Sequence, residues 1–240
     1  MNLQHLRAIF FDIGGTLSHS RIGTPYRVLK MVKVLQDMGY IIDENKALEI
    51  FKRTRDSLRE SIKDIDIEIN IRYLIGNFLV RLGIRERVPI LIDKLYDAYR
   101  EAANEDRYLE PDAKEVIRTL KEKGFYIGII SNASDYKLVV DLLVKEGLFN
   151  LVDSLAVSSI TVWKKPRKEI FEYALSQINV KPKEAAHVGN NLKRDVLGAK
   201  EIGMVAVWKV NDAEAVKELN ETGIKPDIII YRLSDLLDFL

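Results

Sequence analysis

Asp12 closes a short apolar run, Ala8-Ile9-Phe10-Phe11, and is followed by Ile13-Gly14-Gly15-Thr16. A carboxylate in that setting can attack an electrophile or hold a cation. Gly14 and Gly15 let backbone amides approach an anion closely. The Thr16 hydroxyl can cap the next turn or donate to a phosphate oxygen. The plain structural alternative is a glycine turn with a solvated aspartate. Three more polar clusters lie downstream. Ser131-Asn132 offers a hydroxyl and the amides of a helix N-terminus to an oxyanion, or simple helix capping. Lys165-Pro166 sits in a basic run with Lys164, Arg167 and Lys168. Lys165 can neutralise an anionic intermediate and favour the ionised form of Asp12, or be merely solvated. Gly189-Asn190-Asn191 precedes Asp195, which can carry a cation, pair with Lys165, or sit exposed on a helix.

The elements that must position these residues follow from hydrophobic pattern. Residues 8–12, 126–130, 151–157, 185–188 and 205–210 are continuous apolar runs, and 228–231 adds a sixth. Such runs predict strands covered on both faces, as in a parallel sheet. Helices are expected between them: 112–123, opened by an Asp112/Glu115 capping box and closed by Gly124; 136–146; 168–177; and 192–202, stopped by Gly203. The alternation predicts an α/β fold, a doubly wound parallel sheet of Rossmann-like type. All four polar clusters then fall at the carboxyl ends of successive strands, the edge where such sheets bind ligands. Residues 18–107 break the rhythm. Thr24-Pro25 reads as an N-cap with proline at the first helical position. The helix to Gly39 should bury Val28, Leu29, Val32, Leu35 and Met38. Asp43 caps a second helix, and 71–82 and 88–102 give two more. The expected organisation is an α/β core of residues 1–17 and 108–240 interrupted by an all-helical insert.

Composition narrows the function classes. The 240 residues include 37 basic and 36 acidic ones, so no global field draws nucleic acid or an anionic membrane. No cysteine is present, which excludes disulfides, thiolate metal sites and a cysteine nucleophile. No apolar stretch approaches the roughly 20 residues that span a bilayer. A cytoplasmic protein acting on a small molecule is expected. The 30% of charged residues and absent cysteine lean towards a heat-adapted source.

With those motifs in place, the chain resembles the haloacid dehalogenase (HAD) superfamily. The resemblance rests on Phe11-Asp12-Ile13-Gly14-Gly15-Thr16-Leu17, Ile130-Ser131-Asn132, Lys165-Pro166 with Ile170-Phe171, and His187-Val188-Gly189-Asn190 through Asp195. Connecting phrases such as Leu109-Glu110-Pro111-Asp112 fit as well. The helical insert falls where the family carries its helical cap. The resemblance implies a hydrolase in which Asp12 forms an aspartyl ester, with Ser131 and Lys165 catalytic and Gly14, Gly15, Thr16 and Asn132 around the phosphate. It implies a magnesium ion bridging Asp12, the Gly14 carbonyl and position 190, with Asp195 nearby.

Two residues depart from the family's phosphatases. Gly14 replaces a second aspartate that protonates the leaving group and activates water, help worth roughly 10²–10⁴ in rate. Asn190 replaces a metal-binding aspartate, and a neutral amide oxygen is the weaker magnesium ligand. Both features are compatible with the family's metal-independent dehalogenase branch, for which Arg21 and Arg27 are carboxylate-binding candidates by position alone. A non-catalytic ligand-binding protein is a further reading. Asp-Ile-Gly-Gly-Thr also resembles the phosphate loop of actin-like sugar kinases, but the helix from Thr24 stands where those have a hairpin. Trp163, Trp208 and His187 read as packing residues, and His5 and His19 have no partner pattern.

Overall fold

The structure, a computed structural model, describes residues 3, 5–211, 217, 219 and 221–240. In chain order its elements are β1 (Ala8–Phe11), β2 (Ser18–Ser20), α1 (Thr24–Asp37), α2 (Glu44–Ser61), α3 (Ile71–Arg81) and α4 (Val88–Asp106). There follow β3 (Arg107–Leu109), α5 (Ala113–Glu122), β4 (Tyr126–Ser131), α6 (Lys137–Lys145), β5 (Ser154–Val157), α7 (Ser158–Thr161) and α8 (Lys168–Ser176). The chain ends with β6 (Ala185–Gly189), α9 (Gly198–Glu201), β7 (Val205–Lys209) and β8 (Ile228–Ile230). The chain divides into two compact units, residues 1–19 with 109–240 and residues 20–108.

The first unit is built on a six-stranded sheet of order β5-β4-β1-β6-β7-β8. Every pairing in it is parallel. β1 is central, with β4 on one side and β6 on the other, so the strand order reverses at β1. Its four residues are fully buried, yet they alternate between two cores. Ile9 and Phe11 join Ile127, Ile129, Ala186 and Val188 on the α5 and α6 face. Ala8 and Phe10 join Ile130, Ile170, Phe171 and Trp208 on the α8 face. The period-2 alternation is real but hidden, because both faces are apolar. Gly128 belongs to this packing: a Cβ there would lie 2.2 Å from the Phe10 ring.

The stretch 18–107 is not all helical, because its two ends, β2 and β3, pair as a two-stranded sheet. Strand β5 starts at Ser154, since Phe149–Leu151 forms a 3₁₀ turn. Asp112 does not cap α5 through its side chain; its Oδ2 accepts the Ser234 amide at 2.8 Å instead. The expected helix over 192–202 is a π-helical turn, Leu192–Leu197, followed by α9. The π turn places Asp195 inward, where it is 2% exposed. A π segment widens the helix locally, a feature found often at functional sites.

The second unit packs α1 against α2 and α4, and α3 against α2 and α4. Met31, Val32, Leu35, Phe51, Phe78, Leu91 and Leu95 are buried in it. Phe51 and Phe78 meet edge to face at 5.3 Å. Asp43 caps α2, accepting the Lys46 amide, as the sequence implied. The N-cap of α1 is Gly23 rather than Thr24. The first turn of α1 is tied down from afar, because the Asp106 carboxylate accepts the Ile22 and Gly23 amides at 2.8 Å each. The buried stripe of α1 includes Met31, while Met38 is 42% exposed.

Candidate active site

Open α/β sheets bind ligands where the strand order reverses, and Asp12 follows β1 at that point. Its amide donates to the Val188 carbonyl at 2.9 Å, which extends the β1–β6 ladder by one residue. Its side chain is buried, and Oδ1 accepts from Lys165 Nζ at 2.7 Å. Lys165 itself is only 2% exposed, unlike the rest of its basic run. Its ammonium also donates to Asp195 Oδ1 at 2.6 Å and to the Ile130 carbonyl at 2.7 Å. An ammonium has three protons to give, and here all three have acceptors. The Lys165–Pro166 peptide is cis.

Asn132 explains how that lysine is held. Its Oδ1 accepts the Lys165 amide at 2.8 Å and its Nδ2 donates to the Lys165 carbonyl at 3.0 Å. The Asn132 side chain therefore clamps the backbone of Lys165. Ser131 is the buried last residue of β4, and α6 begins only at Lys137. The pair does not open a helix directly, contrary to the sequence expectation. Thr16 Oγ1 reaches Asp12 Oδ2 at 3.5 Å.

Asp195 is the partner of Lys165, one of the two roles expected of it. Its Oδ1 also takes His187 Nε2 at 3.1 Å, and its Oδ2 accepts the Asn191 amide at 2.9 Å. Gly189 is required here, since a Cβ would lie 2.3 Å from the Asp195 side chain. His187 is the residue the sequence undervalued. It is buried beneath Asp195, its ring edge-to-face with Phe171 at 5.3 Å. A histidine in an apolar strand gives no sequence signal for a partner eight residues later.

Charge in the cluster is unequally shared. Burial raises Asp12 above the usual carboxylate range, against the pull of Lys165, and the nearby Asp195 adds to the rise. Asp195 is held low: burial opposes its charge, but Lys165 and His187 outweigh it. Burial lowers Lys165, yet the two carboxylates reverse this and raise it. His187 is lowered, chiefly by burial. Of the two carboxylates that share the Lys165 ammonium, Asp195 is the more strongly acidic.

Asn190 Oδ1 is buried with no hydrogen-bond partner. The Asn190 amide lies against Gly15, where φ is 85° and a Cβ would come within 2.6 Å of Nδ2. The Asn190 carbonyl accepts Trp208 Nε1 at 3.0 Å, so Trp208 orients the residue besides packing. Asp12, the Gly14 carbonyl and the orphaned Asn190 amide oxygen are hard oxygen donors of the kind magnesium takes. They fit the ion with a single anionic ligand. Among the described residues no cluster of three His, Asp or Glu side chains adds to them.

A second polar chain runs beside this loop. Glu110 Oε1 accepts from Lys209 at 2.6 Å and lies 2.7 Å from His19 Nε2. Lys209 also donates to Asn211 Oδ1, and Asn211 Nδ2 donates to the Gly15 carbonyl at 2.8 Å. The partner of His19 thus lies 91 residues away in sequence, out of reach of local pattern. Arg27, proposed by position as a carboxylate binder, donates to Ser20 Oγ at 2.8 Å and lies 3.8 Å from Asp106. Arg21 donates to the Glu105 carbonyl.

The family model for haloacid dehalogenase-like hydrolases matches residues 6–203. The chain belongs to the haloacid dehalogenase-like hydrolases. It is 28% identical over 202 residues to a glyceraldehyde 3-phosphate phosphatase of Methanothermobacter thermautotrophicus, covering 84% of each chain. In structure it resembles a 2-haloacid dehalogenase from Pseudomonas syringae, with TM-score 0.71 and 21% identity over 98% and 97% of the two chains. It also resembles a HAD-hydrolase from Bacillus subtilis bound to magnesium, with TM-score 0.63 and 20% identity over 98% of each chain. These structural likenesses show the shared HAD fold. Family membership makes the chain a hydrolase, which removes the sugar-kinase reading. No helix among the described residues is long and apolar enough to cross a membrane.

Proposed function

We propose that this HAD hydrolase is a phosphomonoester phosphatase acting on small phosphorylated metabolites, with Asp12 as the covalent nucleophile. The observation that carries the reading is the buried contact of 2.7 Å between Asp12 Oδ1 and the fully engaged Lys165 ammonium. Asp12 would attack phosphorus, and the resulting aspartyl phosphate would be hydrolysed by water. Lys165 holds the nucleophile in register and offsets negative charge as it develops. Ser131 and the amides of Gly14, Gly15 and Thr16 would take the phosphoryl oxygens. Asn132 acts by fixing Lys165. Magnesium would be held by Asp12, the Gly14 carbonyl and Asn190, and when bound it supplies charge neutralisation at the phosphoryl group. Asp195 serves the Lys165 pair. Residues 1–17 and 108–240 would be the catalytic core, and residues 18–107 the cap that selects substrate.

A second reading is a metal-independent 2-haloacid dehalogenase, favoured by the neutral Asn190 and the absent side chain at Gly14. One experiment separates the two. Hydrolysis of p-nitrophenyl phosphate and of a 2-halo acid is measured with magnesium and with EDTA, for the native chain and Asp12→Asn. Magnesium-dependent phosphate release that the variant loses is the expected outcome. Halide release indifferent to EDTA would assign the dehalogenase reading, and turnover retained by Asp12→Asn would end the covalent scheme.

A further inference from the structure

The missing side chain at residue 14 restricts what this site can expel. Space for it exists, because a Cβ built on Gly14 meets nothing within 4 Å. Among the described residues, no neighbour has grown into the gap. Among the described residues, Lys165 and Thr16 are the side chains hydrogen-bonded to the Asp12 carboxylate. Lys165 has given its three protons to Asp12, Asp195 and the Ile130 carbonyl. Thr16 is a neutral hydroxyl. His187 is buried and turned to Asp195. None of these groups is placed to hand a proton to a departing oxygen.

A leaving group that departs unprotonated must be stable as an anion. An alkoxide is about as basic as hydroxide, the conjugate base of water at ~15.7, whereas a carboxylate belongs to an acid near ~4. We propose, resting on Asp12 as the phosphoryl acceptor, that the site is specialised for acyl phosphates, the mixed anhydrides of a carboxylic acid and phosphate. In the first step an Asp12 oxygen bonds to phosphorus, the P–O bond to the acyl group breaks, and the carboxylate leaves with the electron pair and no proton. In the second step water bonds to phosphorus and the P–O bond to Asp12 breaks, releasing the Asp12 carboxylate. The proton of that water passes to the phosphate and solvent. The sum is acyl phosphate plus water giving carboxylate, inorganic phosphate and one proton. The aspartyl phosphate is itself an acyl phosphate, so both steps expel a carboxylate and neither needs an acid. Glyceraldehyde 3-phosphate, named for the Methanothermobacter relative, carries its phosphate on an alcohol and marks the contrast.

The test uses kcat/KM, which reads phosphoryl transfer to the enzyme even when the second step limits kcat. Acetyl phosphate and aryl phosphates from p-nitrophenyl to unsubstituted phenyl are compared, with magnesium, for the native chain, Gly14→Asp and Asp12→Asn. The native chain is expected to favour acetyl phosphate over phenyl phosphate by at least about 100-fold, the scale of the lost general acid. Gly14→Asp is expected to narrow that ratio at least about tenfold by accelerating phenyl phosphate. The native ratio needs no variant, so misfolding of Gly14→Asp cannot mask the answer. Equal rates across the series in the native chain, with Asp12→Asn silent, would overturn the inference and leave the phosphatase reading standing. So would a steep ratio that a folded Gly14→Asp leaves unchanged. Phosphate release no faster than that of Asp12→Asn on every substrate would remove the reading and the inference together.

Discussion

At the residue scale, the site is an economy of acceptors around one ammonium. Lys165 lies between two carboxylates and a carbonyl, and Asn132 fixes its backbone on both sides. Removing the charge without the volume, by Lys165→Met, leaves Asp12 and Asp195 buried with no cation. Breaking a buried pair from one side costs on the order of 3–5 kcal/mol. Urea unfolding of Lys165→Met should show a loss of that size at neutral pH, with turnover falling at least about 100-fold. A variant as stable as the parent would mean that water already screens this cluster. The sequence offered the Lys165–Asp195 pair and the influence of Lys165 on Asp12 as alternatives among others, and the fold decides that one ammonium serves both acids. The spacings between Asp12, Lys165 and Asp195 acquire meaning only once the strand order is known.

At the scale of elements, glycines and one strained loop show where backbone serves the site. Gly128 lets the Phe10 ring lie flat on β4, and a Cβ would fall 2.2 Å from it. Gly128→Ala is therefore expected to cost about 1–3 kcal/mol by overpacking, read as a lower urea midpoint with an unchanged slope. A cost below half a kcal/mol, by the same overpacking scale, would show that Phe10 can swing away. Val162, between α7 and Lys165, has φ 69° and ψ −46°. A β-branched residue there is a genuine outlier, of the sort found near functional sites. The capping box expected at Asp112 illustrates the opposite limit. The Asp-x-x-Glu pattern was present, but Ser234 competed for the aspartate from the far end of the chain.

At the scale of the whole molecule, each unit is secured by a long-range carboxylate. In residues 20–108 that group is Asp106, whose burial disfavours its charge but whose bonds to the Ile22 and Gly23 amides, with Arg27, prevail and lower it. A carboxylate held low when folded adds stability above its unfolded value, near ~3.9. That stability is lost as pH falls through the lower folded value. Asp106→Asn should therefore be less stable than the parent at pH 7, and the difference should shrink on titration below about pH 4. Denaturant midpoints at successive pH values measure this; a gap that stays constant to pH 2 would assign the role to packing alone. The first unit has its counterpart in Glu110, lowered by Lys209 and His19 against the cost of burial.

The sequence by itself determined the α/β class, the four helices that lie between residues 24 and 106, and the polar clusters that follow the strands. Those features depend on short-range physics: apolar runs, glycine turns and proline or aspartate caps are written within a few residues of one another. Tertiary structure alone decided that Asn132 clamps Lys165, that His187 supports Asp195, and that Asn190 ends with an unpartnered oxygen against Gly15. It also decided that a π-turn carries Asp195 inward. These contacts depend on how the loops after β4, β5 and β6 fold back beside one another, and no periodicity in the chain encodes such a neighbour.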